Sequence, residues 1–170
     1  MAATYYLISS STVGSGGVAS VTFSSIPQTY TDLLLVTSLR NSGGNTWAGM
    51  VFNGSNTNFT SKNINGNGTS AGSQSVTNYV YVAMENGSTD TSNTFASSQI
   101  YIPNYTSSNY KSFSVETVRE NNSTSGEQFM WAFLYSNTNA ITSITFNNDN
   151  GAGTSFVQYS TFYLYGIKNS

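Results

Sequence analysis

The sequence has no cysteine and no histidine, and it has only two prolines. Without cysteine there is no disulfide framework and no thiol chemistry. Without histidine, the Ser–His and Cys–His pairs of nucleophilic catalysis are excluded, and so is a zinc site built from histidine or cysteine. No apolar run approaches the ~18 residues of a membrane-spanning helix. These absences remove disulfide scaffolds, the common nucleophilic hydrolases and helical membrane proteins.

Charge is scarce as well. Charged residues make up 7% of the 170 residues, against about 25% in typical soluble proteins. The five basic and seven acidic residues are scattered and give a net charge of -2. Nucleic acids and anionic membranes attract clustered Lys and Arg, so we expect neither as a partner. A neutral surface rich in Ser, Thr and Asn suits dense packing in an assembly, and it equally suits an ordinary β-rich domain.

Short apolar and aromatic runs, bounded by Gly, Asn, Ser and Asp, predict an all-β fold. We expect one domain over residues 1–170, an antiparallel β-sandwich, because either half alone is too short to bury an adequate core. The predicted strands are Thr4–Ser9, Val18–Ser24, Asp32–Arg40, Thr46–Asn53, Asn58–Ile64, Asn78–Met84, Thr94–Ile102, Lys111–Arg119, Gln128–Ser136, Ile141–Asn147 and Val157–Ile167.

Turn signals separate these strands. Asn-Gly pairs, which favour turns with positive φ, begin at Asn53, Asn65, Asn67, Asn86 and Asn150. The longest polar segment, Asn65–Thr77 (NGNGTSAGSQSVT), has the Gly and Ser content of a linker. We predict a mobile surface loop there.

Three runs are apolar on both faces of their predicted strands: Leu33–Val36, Phe129–Tyr135 and Phe162–Tyr165. We expect Leu33 and Leu35 in the sandwich core, with Leu34 and Val36 on the opposite face. That second face is either covered by a loop or buried against another subunit.

Few side chains offer chemistry. Glu116 and Glu120 are the best carboxylate pair for glycoside hydrolysis, and the alternative is two solvated acids near Arg119. Asp90 and Asp149 lie in polar segments that could hold calcium through oxygen ligands, but neither segment matches an EF-hand. The sequence therefore predicts no cofactor and no metal site.

Exposed aromatic residues could instead stack on a sugar ring. Trp47, Tyr79 and Tyr81 are the candidates. The alternative for Trp47 is a core tryptophan at the start of a strand.

Three stretches carry a family resemblance: YYLISSSTVGSGGVASVTFSSIPQTYTDLLLVTSLR, IYIPNYTSSNYKSFSVETVRENN and FVQYSTFYLYGIKNS. In their residues and in their order along the chain, these stretches resemble a family of small structural proteins of tailed bacteriophages. The family is common in marine and cyanobacterial phages. The resemblance spans nearly the whole chain. It implies a jelly-roll-like β-sandwich, often a trimer or ring on the phage particle, and it brings no catalytic motif, so we expect no enzyme.

For a protein of this family we expect a capsid decoration (cement) protein on the exterior of the phage head, because its low charge suits dense repetition, with the major capsid protein or other virion proteins as partners. The alternative is a tail fibre or tail-tip protein that binds a host glycan. The start of the chain lacks the basic region and apolar core of a secretory signal, so we expect synthesis in the bacterial host cytoplasm without processing. The predicted interface residues are Leu34, Val36, Arg40, Trp47, Tyr163 and Tyr165.

Overall fold

The computed structural model describes residues 4–44, 46–77, 80–122, 126–148 and 154–168. These residues form twelve β-strands and no helix. The strands are β1 (Thr4–Thr12), β2 (Ser20–Phe23), β3 (Asp32–Leu39), β4 (Thr46–Phe52), β5 (Phe59–Gly66), β6 (Ala71–Thr77), β7 (Tyr81–Glu85), β8 (Ala96–Ile102), β9 (Lys111–Glu120), β10 (Gly126–Tyr135), β11 (Ile144–Asn148) and β12 (Thr161–Lys168).

Two antiparallel sheets pack face to face as a β-sandwich, which confirms the predicted fold class. The larger sheet has eight strands in the order β1-β12-β3-β8-β9-β10-β5-β6, and the smaller has four in the order β2-β11-β4-β7. Each of the eleven predicted strands overlaps an observed one. In the described parts of the chain no helix is long and apolar enough to cross a membrane.

The core lies between the sheets and follows the period-two alternation of the strands. In β9, every second residue from Lys111 to Arg119 is buried, and the residues between them are exposed. In β3, Leu33, Leu35 and Leu39 are fully buried, which confirms the expected core face of that strand. Aromatic rings fill much of the interior, and Phe113 stacks on Phe133 with ring centroids 4.9 Å apart.

The segment predicted as a mobile loop, residues 65–77, is instead the end of β5, a short turn and the edge strand β6. Ala71–Thr77 pairs in register with Thr60–Gly66. The prediction was wrong because β6 buries little: six of its seven residues are exposed and only Val76 is half-buried. A strand held by backbone pairing alone shows no apolar alternation in the sequence.

The Asn-Gly signals were correct at two turns. Asn53 and Gly54 both have positive φ, 51° and 76°, and Ser55 N donates to Phe52 O at 3.0 Å. Asn67-Gly68 closes the β5–β6 hairpin, where Asn67 Oδ1 accepts the backbone N–H of Ser70 at 2.8 Å. Asn favours such turns because its short side chain can form hydrogen bonds with backbone groups of the turn.

Candidate interaction face

The surface of the eight-stranded sheet that points away from the four-stranded sheet is called the outer face here. Four of the predicted interface residues lie together on it. Tyr163 is the register partner of Val36, and Tyr165 is the register partner of Leu34. The two tyrosine rings lie 6.3 Å apart and nearly parallel, at 24°. The sequence prediction thus selected adjacent residues of two neighbouring strands.

The apolar surface continues across the sheet. Leu34 also faces Tyr101 of β8, and Met130 of β10 faces Ile64 of β5. Met130 is 54% exposed and Ile64 is 62% exposed. Towards the other end of the sheet, Tyr5 and Leu7 of β1 are exposed next to β12. Most large exposed side chains of the described residues therefore fall on one face or its edge.

A depression of about 530 Å³ lies in the middle of the outer face. Its apolar lining includes Leu34, Ile64, Tyr101 and Met130. Five polar residues also line it: Lys62, Asn63, Gln99, Ser114 and Glu116. Apolar groups dominate the lining, which is typical of a pocket that receives an apolar group and orients it with a few polar contacts.

Tyr101 is held in place by a buried carboxylate. Asp32, at the start of β3, accepts the Tyr101 hydroxyl proton at 2.8 Å and the Asn104 backbone N–H at 2.8 Å. Burial raises the pKa of Tyr101, and the hydrogen bond to Asp32 and the negative charge of Asp32 raise it further, to about 12. The hydrogen bond to Asp32 fixes the position of the Tyr101 ring at the depression.

The other two predicted interface residues are used within the chain. Arg40 is half-buried, and its guanidinium donates to the backbone carbonyls of Asp90 (3.1 Å), Thr91 (2.9 Å) and Thr94 (3.1 Å). Trp47 packs edge-on against Phe129 at 4.8 Å and Trp131 at 5.8 Å.

The packing of Trp47 favours its alternative interpretation as a core-edge tryptophan rather than a sugar platform. Tyr81 lies next to it at 6.4 Å between ring centroids, and it is half-buried. Tyr79, the third aromatic candidate, lies outside the described residues.

The structure also shows where the two carboxylates considered for glycoside hydrolysis lie. Glu116 and Glu120 are exposed on the outer face of β9. Four residues of strand separate their Cα atoms by about 13 Å, and the two carboxylates accept hydrogen bonds from different neighbours, Glu116 from Gln128 and Glu120 from Asn122. Arg119 points to the opposite face, where it pairs with Glu127 at 3.0 Å.

The proposed calcium ligands give no shared site in the described residues. Asp90 is buried, and its carboxylate accepts Gly87 N–H at 2.9 Å and the Asn121 amide at 3.1 Å. Asp149 lies outside the described residues. The described part of the chain brings no three acidic side chains together in a way that could hold a metal ion.

The covering-loop interpretation of the second apolar face is wrong at Met130, because this side chain is mostly exposed. Sequence reasoning also left Tyr5, Leu7, Ile64 and Tyr101 out of the candidate interface. The alternation of β10 places Met130 on the face opposite to Phe129 and Trp131. No local pattern shows that β1, β5 and β8 contribute to the same face, because the order of strands in the sheet decides where each of them lies.

Comparisons with known proteins add no relative. No protein-family model matches the chain, and no curated protein or solved structure matches it either.

Proposed function

We propose that this chain is a structural protein of a tailed bacteriophage particle, a capsid decoration protein that binds the exterior of the head through its outer face. The observation that carries the proposal is the exposed apolar depression around Leu34, Ile64, Tyr101 and Met130. Contiguous exposed apolar surface on a soluble domain marks a contact with another macromolecule. The sequence resemblance supplies the phage particle as the setting.

The chemistry of the depression favours a protein partner. A glycan presents many hydroxyls, and a site for it needs several hydrogen-bonding groups directed at the sugar. Here seven of the twelve lining residues are apolar or aromatic and five are polar, and apolar groups provide most of the lining. An aliphatic or aromatic side chain of a capsid subunit would fill such a space, with Lys62, Gln99 and Glu116 at the polar rim.

Binding of many copies would stabilise the expanded head by mass action, because the bound protein favours the assembled lattice over the dissociated one. The scarcity of charge supports this role, since closely spaced copies repel one another little. The proposal involves no enzymatic step and no cofactor. It places the protein on the exterior of the particle, with the trimer implied by the resemblance as its arrangement on the lattice.

The test is binding of the purified chain to expanded heads that lack it, with bound copies counted by electron microscopy. Met130→Asp would bury an unpaired carboxylate in the contact, and we expect at least about a tenfold loss of affinity. The matched control is Tyr110→Asp, a change at an exposed residue of the loop before β9. Wild-type binding at only a few tail-associated sites, or equal binding by both variants, would contradict the proposal.

A second candidate function is glycan recognition by a tail protein. The observation that favours it is the fixed Tyr101 ring beside Gln99 and Glu116, since an immobilised aromatic ring next to amide and carboxylate groups can stack on and orient a sugar.

Host-cell binding distinguishes the two functions. The tail function predicts that the purified chain binds host cells, that free host polysaccharide abolishes the binding, and that Tyr101→Ala weakens it. The decoration function predicts binding to expanded heads that is insensitive to polysaccharide.

A further inference from the structure

Strand β1 is one edge of the eight-stranded sheet, paired only with β12 among the described strands. An edge strand presents unpaired backbone N–H and C=O groups, and natural proteins protect such edges with charge, proline, short length or a covering segment. β1 has nine residues, none of them charged and none a proline. Its one protective feature is a bulge between Leu7 and Ser9.

The other sheet edges differ from β1. β6 is also uncharged, but it has no large exposed apolar side chain. β2 has four residues, and β7 contacts β8 of the other sheet. Only β1 combines length with consecutive exposed apolar residues: Tyr5, Tyr6 and Leu7 are 58%, 46% and 55% exposed.

The two halves of β1 have different surroundings. The second half, Ser9–Thr12, lines a groove of about 400 Å³ together with β2 and the turn that joins the two strands. The first half, ahead of the bulge, does not line that groove. Its Tyr6 ring lies 5.8 Å from Tyr30, on the side opposite to Tyr5 and Leu7. The accessible edge is therefore the short stretch around Tyr6.

We propose that two copies of this chain pair antiparallel through the first half of β1, in a register centred on Tyr6. Tyr6 then lies opposite Tyr6 of the second copy, and Tyr5 lies opposite Leu7. A two-fold axis perpendicular to the sheet generates this arrangement. It extends the sheet across both copies and keeps their outer faces on the same side.

The sequence around Tyr6 favours a second copy as the occupant. In a two-fold contact each residue meets the same surface of its partner, so a charged edge would repel itself. The absence of charge removes that repulsion. The register also gives every exposed large side chain of the stretch an apolar or aromatic neighbour, because Tyr5 meets Leu7 on one face and the two Tyr6 side chains meet on the other. A partner of different sequence would have to supply this match independently.

Pairing over about five residues gives a weak contact, with a dissociation constant on the order of 0.1 mM. Such a contact is minor in dilute solution. It becomes effective where copies are held close together, because the local concentration then exceeds the dissociation constant. The inference does not depend on what the outer face binds, since β1 pairing is measured with the purified chain alone.

The first test is sedimentation of the full chain over a concentration series. We expect a monomer–dimer equilibrium, which Leu7→Lys weakens by more than about tenfold because it adds like charge to both edges. Tyr110→Lys, the same change at an exposed loop residue, should leave the equilibrium unchanged. A monomer at every concentration, equal effects of the two variants, or open-ended growth from β1–β6 pairing would each overturn the proposal.

The second test uses the absence of cysteine, because a single introduced thiol can then cross-link only two copies. Under mild oxidation Tyr6→Cys should form a disulfide-linked dimer, and Ser108→Cys, in an exposed loop, should stay monomeric. The wild-type chain gives a check without substitution: amide exchange over Tyr5–Leu7 should slow as concentration rises, while exchange in β6 does not change. Slowing in β6, or none in β1, would refute the proposed register.

Discussion

At the residue scale, Lys111 shows how one cation can organise two loops. Its side chain is almost completely buried, and its Nζ donates to the backbone carbonyls of Ser107 (2.8 Å), Asn137 (3.2 Å) and Asn139 (2.6 Å). Burial lowers the pKa of Lys111 below its usual value. The ammonium nevertheless suits this position, because its three N–H donors match the three backbone carbonyls around it.

Replacing Lys111 with Met should destabilise the protein by about 3 kcal/mol, because three backbone carbonyl groups lose a charged donor. Lys62→Met is the matched control. Lys62 is exposed, and its only hydrogen bond among the described residues is a long one to Ser75 at 3.4 Å, so its replacement should change the free energy of unfolding by less than about 0.5 kcal/mol. Denaturant unfolding of the two variants measures both values. A similar small effect at both positions would show that solvent reaches Lys111.

At the element scale, the segment before β3 closes over β12. Thr31 N donates to Ile167 O at 2.8 Å, and the Tyr30 ring lies directly above Gly166. A Cβ on Gly166 would come within 2.4 Å of Tyr30 Cγ, closer than any non-bonded contact allows. The absence of a side chain at 166 is therefore what lets this segment pack against the strand.

Gly166→Ala should cost about 1–3 kcal/mol, because the ring or the strand must move to admit the methyl group. Adding Tyr30→Ala should remove most of the penalty of the Gly166 change, which is a coupling that a double-mutant cycle measures. Gly16→Ala, where an added Cβ meets nothing within 4 Å, serves as the control. Additive effects of the changes at 166 and 30 would contradict the steric explanation.

The strands differ in how well the sequence predicts them. β8 and β9 alternate strictly between buried and exposed residues, so their existence follows from the pattern of side chains. β6 does not, because its pairing with β5 uses backbone groups that every residue has. The Asn67-Gly68 pair is a local signal of that hairpin. The polar composition on both sides of the pair nevertheless led to the prediction of a loop.

At the scale of the whole molecule, four strands pack against a sheet of eight, and the larger sheet keeps one face open. The apolar side chains of that face belong to strands that are distant in sequence and adjacent in the sheet, such as β3 and β8, or β5 and β10. With seven acidic and five basic residues in the chain, the proposed contact depends little on charge.

We therefore expect head binding to change by less than about threefold between about 0.05 M and about 0.5 M salt, because screening acts on charge–charge attraction and leaves apolar burial in place. Binding isotherms at the two salt concentrations test this. A tenfold or larger decrease would show that ion pairs dominate the contact, and the role given to the apolar depression would then be wrong.

The sequence by itself determined the fold class, the strands that have an apolar face, and the core positions Leu33 and Leu35, because these follow from alternation and turn chemistry within a few residues. It also indicated that Leu34, Val36, Tyr163 and Tyr165 lie on a second apolar face of their strands. Only the tertiary structure decided that these four residues are neighbours, that Met130 and Ile64 extend their surface, and that Arg40 and Trp47 are used within the chain. The order of strands in a sheet is set by contacts between distant segments, and no local pattern records it.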